Sequence, residues 1–309
     1  MDMRRLLPLI VAALAGCTLG PDYKRPEIQS PATFQYEPKD AAATADTLWW
    51  QQFQDPVLDQ LIDEALKHNT NVQIAAANVE QAAAVLTQSR SQLFPQVGYG
   101  AGAQRERTRE PAFASLVPNY PNPASAYQAA LQASWEIDLW GRIRRQSEAA
   151  YANVLATDEA RRGVILSLVA QVANSYLQLR GLDAQLDVAK KTLQTYKESV
   201  DLFTLQFQYG QVSMMNVAQA QSQYETAAAQ IPLIESQIAQ TQSSLAVLIG
   251  RDPGPIVRGK SVYDLQLPQV PAGVPSALLE RRPDLNQAEQ QLIAANAQIG
   301  AAKALYFPT

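Results

Sequence analysis

The sequence predicts a mainly α-helical protein with one transmembrane β-hairpin. Long antiparallel coiled-coil helices continue from a β-barrel, with one full repeat of the plan and the start of a second. Three observations carry that expectation. Ala supplies 49 of the 309 residues and Gln 35, and both suit packed helices better than a mixed α/β fold. A seven-residue apolar repeat runs from Ile165 to Phe207, which specifies left-handed supercoiling. Between two helical stretches the apolar period falls to two, as in a half-buried strand.

The chain opens with Arg4-Arg5, an apolar stretch from Leu6 to Ala13, then Leu14-Ala15-Gly16-Cys17. Residues 1–16 read as a secretory signal too short to span a membrane stably. Leu-Ala-Gly-Cys is what a bacterial lipoprotein signal peptidase recognises. Cys17 is therefore expected to become the mature N-terminus and to carry lipid. The alternative is a small buried Cys in an ordinary signal peptide. Each buried CH2 of an acyl chain adds about 0.8 kcal/mol to membrane attachment. Thr18 rather than Asp after the Cys points to the outer membrane.

Residues 17–55, with Pro21, Pro26, Pro31 and Pro38, read as an extended lipidated arm. Trp49-Trp50 pins its end onto the body, a membrane belt being the alternative. An upper helix is expected over 56–93, with Pro56 at its first position, Asp55 as cap and Leu58, Leu61, Ile62 and Leu66 as its stripe. Phe94-Pro95 stops it.

Residues 94–140 are expected to form the transmembrane hairpin with its outer loop. Val97, Tyr99, Ala101 and Ala103 share one face of the first strand. Tyr127, Ala129, Leu131, Ala133, Trp135, Ile137 and Leu139 share one face of the second. Such strands meet the roughly 9–11 residues needed to cross a bilayer. Trp135 and Trp140 are placed as membrane-interface aromatics. An edge hairpin of a soluble sandwich fits the alternation equally well, and the lipoprotein signal upstream favours the barrel. Glu136 and Asp138 read as pore-lining or cap-forming groups, and His68 as a solvated helix-end residue.

A long periplasmic helical hairpin is expected over 141–249. Its first helix runs from Arg142 to Gln208, about 100 Å at 1.5 Å per residue. Tyr209-Gly210-Gln211-Val212-Ser213 is the turn. The return helix runs from Met214 to Ile249 and should kink at Pro232. Residues 250–283 form a Pro/Gly-punctuated connector with a short strand near 262–267. Residues 284–309 open a second repeat: at an offset of 213, Phe94-Pro95 falls on Phe307-Pro308 and Leu86 on Ile299.

Composition excludes several functions. Charged residues make up 17% of the chain and the net charge is −4, so a nucleic-acid-binding surface, which needs a basic excess, is not expected. One His and one Cys leave no basis for a metal site, and an intrachain disulfide is impossible. No enzyme activity and no cofactor beyond covalent lipid on Cys17 are expected.

Gly20-Pro21-Asp22-Tyr23-Lys24-Arg25-Pro26, Trp49-Trp50 through Phe53-Gln54-Asp55-Pro56 and Trp135-Glu136-Ile137-Asp138-Leu139-Trp140-Gly141-Arg142 stand in that order. They are followed by Tyr209-Gly210-Gln211-Val212-Ser213, Leu245-Ala246-Val247-Leu248-Ile249-Gly250 and Glu280-Arg281-Arg282-Pro283-Asp284-Leu285. In this order and spacing the chain resembles the outer-membrane factor lipoproteins of RND-type tripartite multidrug efflux pumps, relatives of TolC. The resemblance implies a homotrimer whose hairpins share one twelve-stranded barrel in outer-membrane lipid. It implies a helical tunnel in the periplasm, a periplasmic adaptor (membrane fusion) protein and, indirectly, an inner-membrane RND transporter that supplies the energy. Gly210, Val212 and Ser213 at the hairpin tip then become the adaptor-contact surface, although taken alone they are only a turn. The family has a second barrel hairpin and a second helical hairpin, which would follow Thr309. The resemblance therefore implies a C-terminally truncated chain whose gate residues lie beyond it. Two alternatives remain at this point: a periplasmic adaptor-type lipoprotein, which would need β-rich halves flanking its hairpin, and an enzyme using Glu136 and Asp138.

Overall fold

The computed structural model describes residues 18–26, 48–107, 123–267 and 279–308. After a 3-10 turn at Trp49–Phe53 come α1 (Pro56–His68), α2 (Thr70–Ser91), β1 (Gln96–Glu106), β2 (Ala124–Ser134), α3 (Arg142–Gln208), α4 (Met214–Leu248) and α5 (Pro283–Ala304). The described residues fall into two compact units. One takes its residues from 1–26, 80–155 and 289–309, the other from 27–79 and 156–288.

The first unit holds the β-hairpin. β1 and β2 are antiparallel, in register from Gln96 opposite Ser134 to Glu106 opposite Ala124. Beside the hairpin, Ala149 and Ala152 of α3 bury themselves against Ala294 and Ala297 of α5. Side chains this small let the helix backbones approach closely, which accounts for part of the Ala excess.

The second unit has the larger apolar core. Leu58, Leu61, Ile62 and Ala65 from α1 pack with Leu168, Val172, Tyr176 and Leu179 from α3 and with Leu245 and Ile249 at the end of α4. Trp49 and Trp50 lean on this core, their rings edge to face at 6.0 Å. The arm's end is thus fixed to the body as its two indoles suggested.

Two elements differ from the sequence expectation. The helix expected over 56–93 is broken at Asn69, which has ψ of 124° and is extended. Its side-chain Oδ1 accepts from the backbone N–H of Asn71 at 2.8 Å and of Val72 at 3.3 Å. Its Nδ2 donates to the carbonyl of Leu248 at 2.9 Å. Asn69 therefore caps α2 and ties it to the end of α4, so local helix propensity yields to a tertiary hydrogen bond.

The second strand ends at Ser134 instead of reaching Leu139. Asp138 is taken up by the start of α3, accepting from the N–H of Ile143 at 3.1 Å and of Arg144 at 2.9 Å. Glu136 pairs with Arg142 at 2.5 Å. The two carboxylates thus serve the helix start, which cannot coexist with ladder pairing. Residues 261–267 also differ: they hold a turn, closed by Asp264 N–H donating to the Ser261 carbonyl at 2.9 Å, where a short strand was expected.

The internal repeat is visible in the backbone. α2 spans Thr70–Ser91 and α5 spans Pro283–Ala304, so both ends fall at the offset of 213. Each helix is followed by the same three turn bonds: the N–H groups of Gln92, Leu93 and Phe94 in one, and of Leu305, Tyr306 and Phe307 in the other.

Candidate functional site

The functional surfaces start from the hairpin's alternation. The register sets Val97 opposite Ala133, Tyr99 opposite Leu131, Ala101 opposite Ala129 and Ala103 opposite Tyr127. Because side chains alternate along a strand, all eight lie on one face. The other face carries Gln96, Gln104, Glu106, Gln128, Gln132, Ser134, three glycines and the small Ala124, Ala126 and Ala130. Among the described residues nothing covers the apolar face: Tyr99 is 93% exposed, Tyr127 82% and Leu131 79%. Two isolated strands with such a face are at best marginally stable in water.

Trp135 lies one residue and Trp140 six residues past the last residue of β2. The indole N–H of Trp135 donates to the carbonyl of Leu93 at 3.1 Å. That of Trp140 donates to the carbonyl of Pro308 at 2.9 Å, and its ring stacks on Phe307 at 4.7 Å. Each indole is thus fixed by a helix end that carries the Phe-Pro pair.

The arm after Cys17 meets the same unit. The N–H of Leu19 donates to the carbonyl of Trp140 at 3.2 Å. Arg145, 4% exposed, donates to the Leu19 carbonyl, to Asp22 at 2.7 Å and to Glu148 at 2.8 Å. Arg25 and Tyr23 converge on Glu289 of α5. The Arg25 guanidinium holds the Glu289 carboxyl below the usual carboxylate range, against the opposing pull of its partial burial. Gly20 crosses Gly300 of α5 so closely that a Cβ on Gly20 would lie 2.4 Å from the Gly300 Cα. Sequence reading placed residues 17–55 as an arm but found none of these partners, all of which lie more than a hundred residues away. Cys17 and the signal lie outside the described residues.

The tip joining α3 to α4 is built by Gly210. Its φ of +72° is costly for any residue with a Cβ. The N–H of Gln211 reaches back to the carbonyl of Gln206 at 2.9 Å and that of Gly210 to Phe207 at 2.9 Å, closing the helix end. Gly210 and Ser213 are exposed and Val212 is half-buried. The structure adds three neighbours: Tyr209 is 76% exposed, Met214 58% and Met215 73%. Large apolar groups on a turn were the signal that could have found them. Among the described residues, no group of three or more His, Cys, Asp or Glu side chains could hold a metal ion, and no helix is long and apolar enough to cross a membrane.

Comparison with known proteins identifies the family. The profile of the family described as Outer membrane efflux protein matches residues 61–251. The chain is 38% identical to the probable efflux pump outer membrane protein TtgC of Pseudomonas putida, over 99% of this chain and 65% of TtgC. It is 34% identical to the cation efflux system protein CusC of Escherichia coli, over 100% of this chain and 67% of CusC. The open-state MtrE outer membrane channel of Neisseria gonorrhoeae superposes with a TM-score of 0.79 at 31% identity, covering 94% of this chain and 64% of MtrE. The chain thus spans about two thirds of the length of the relatives it matches.

Proposed function

This chain belongs to the outer membrane efflux protein family, and from that premise we propose that it forms the wall of an outer-membrane export duct in a tripartite efflux system. The observation that carries the reading is the wholly exposed apolar face of a hairpin with two eleven-residue strands. That length and alternation suit a barrel wall with lipid outside and water inside. Three copies would join their hairpins into one barrel, and the helices would line a periplasmic tunnel. Small molecules such as drugs would pass through it passively, so the chain itself performs no chemistry. Family membership supports this channel reading and not the adaptor-type lipoprotein.

The finer assignments rest on the same premise. Lipid on Cys17 would anchor the arm in the outer membrane, with Trp135 and Trp140 at headgroup depth. A periplasmic adaptor would meet the tip at Gly210, Val212 and Ser213, with an inner-membrane RND transporter behind it as the source of energy. No cofactor or nucleic acid enters the mechanism.

The test compares the two faces of one strand. Leu131→Arg places a charge against lipid at a cost of about 2–4 kcal/mol, whereas Gln132→Arg faces the water-filled side. Leu131→Arg should leave the outer-membrane fraction and lose drug export in an export-deficient strain, and Gln132→Arg should keep both. Native fractionation and export by Leu131→Arg would sink the proposal. Labelling with radioactive palmitate, retained in Cys17→Ala, would refute the anchor.

A further inference from the structure

The apolar face of the hairpin ends in polar groups on the side of the loop. Beyond Ala103 the next residue on that face of β1 is Arg105, and the register sets it opposite Ser125 of β2. Tyr127, the next residue on the same face of β2, is the diagonal neighbour of Arg105. Alternation thus puts all three with Tyr99 and Leu131. All three are exposed. They offer a guanidinium, a hydroxyl and a phenol, each able to donate a hydrogen bond. Glu106, the adjacent carboxylate, falls on the other face and accepts from Gln104 at 3.2 Å.

We propose that Arg105, with Ser125 and Tyr127, binds the phosphate of an anionic lipid headgroup at the outer rim of the barrel. The proposal deepens the duct reading and rests on it, because it needs the apolar face to lie in lipid.

Height, charge and shape select this ligand. From Val97 to Arg105 the strand rises about 27 Å, at the usual advance per residue. With the strands tilted as in such barrels, that is about 20 Å of height, close to an apolar band of about 25 Å. Arg105 therefore stands where hydrocarbon gives way to headgroups, clear of the midplane where an arginine is strongly disfavoured. An exposed arginine on a sheet in water needs no partner, but one at the edge of hydrocarbon meets headgroups before bulk water. Its planar fork matches phosphate through two parallel N–H donors, and Ser125 and Tyr127 add two O–H donors beside it. The net charge of −4 gives the chain no general attraction for an anionic surface, so the attraction is local to this rim.

The experiment uses the full chain purified in detergent. It is mixed with a glucosamine-based lipid bearing two phosphates, with the same lipid stripped of them, or with inorganic phosphate. Lipid retained per chain is read by native mass spectrometry. The phosphorylated lipid should be retained in preference to the stripped one. Arg105→Gln should weaken its retention about five-fold, the effect of one charge beside an anionic surface, and leave the stripped lipid unaffected. Arg105→Lys should recover part of the loss, and the double variant Ser125→Ala, Tyr127→Phe should weaken retention with Arg105 in place. Equal retention of the two lipids, or native retention by Arg105→Gln, would overturn the headgroup site and leave the duct standing. Inorganic phosphate that displaces the lipid at equal concentration would assign the groups to free phosphate and overturn it too. A chain that retains neither lipid and fractionates away from the outer membrane would overturn the duct itself.

Discussion

The hydroxyl of Tyr176 donates a 2.6 Å hydrogen bond to Oδ2 of Asp55, and both residues are fully buried. The same carboxylate accepts from the N–H of Val57 at 3.0 Å and of Lys260 at 3.1 Å. The Tyr176 oxygen in turn accepts from the N–H of Gly259 at 3.0 Å. One buried carboxylate thus joins the start of α1, the middle of α3 and the segment after α4. Burial, reinforced by the bond to Asp55, pushes the Tyr176 hydroxyl well above its ordinary range, so it stays a donor.

Tyr176→Phe removes one donor from a buried charge and should cost about 1.5–3 kcal/mol. Asp55→Ala should cost more, since it also removes the α1 cap and strands the Lys260 N–H. Urea unfolding of the purified chain in detergent reads both. An unchanged midpoint in Tyr176→Phe would remove the bond from the account of stability.

Asn69→Ala separates propensity from tertiary structure. Ala is the better helix former, so a continuous helix would gain stability from the change. The cap predicts a loss of about 1 kcal/mol, with more as the Leu248 carbonyl loses its donor. Hydrogen exchange at Asn71 and Val72, whose N–H groups bond to the cap, should rise in the variant. Stabilisation by Asn69→Ala would refute the cap.

Glu289 and Asp59 should respond to acid in opposite senses. Arg25 lowers the folded-state pKa of Glu289, so its contribution is present above the unfolded value and is lost as pH falls through the lower folded value. That window lies below about 4.3. Asp59 is raised by burial and by the neighbouring Asp63 and Asp55. Its carboxyl favours the fold when protonated, below the unfolded value, and that advantage is lost as pH rises through the folded value. Protease sensitivity of the arm should therefore increase in acid, and Glu289→Gln should flatten that profile. Asp59→Asn should stabilise the protein at neutral pH, because Asp59 Oδ1 is buried without a partner among the described residues. A destabilised Asp59→Asn variant would contradict the sign.

Gly300→Ala tests how tightly the arm is held. A Cβ there would lie 2.5 Å from the Leu19 carbonyl oxygen and 3.0 Å from Cγ of Arg145, so backbone must move. The arm should detach, read as faster cleavage within 18–26, while α5, where Ala is the better helix former, stays helical by circular dichroism. Cleavage at the native rate would show that the arm tolerates the group.

Much of this molecule is written locally. The bounds of α3 follow from Gly141, the heptad from Ile165 onward and the Tyr209-Gly210 turn, because a helix is specified by its own periodicity and its own end residues. The repeat at an offset of 213 was legible from Phe-Pro alone, and the hairpin faces from a period of two. What tertiary structure decided are the places where a polar side chain chose a distant partner. Asn69 broke a helix that its neighbours favour, to reach Leu248. Asp138, by contrast, ended the strand through a local cap, its partners only five and six residues on at the start of α3. Asp55 found Tyr176, and Arg145 gathered Leu19 and Asp22. Periodicity reports which face of an element is apolar. It carries no information about which backbone amide or hydroxyl, far away in sequence, will satisfy a buried donor or acceptor. Only the packed chain settles that, because there an unpaired polar group costs more than the local preference it overrides.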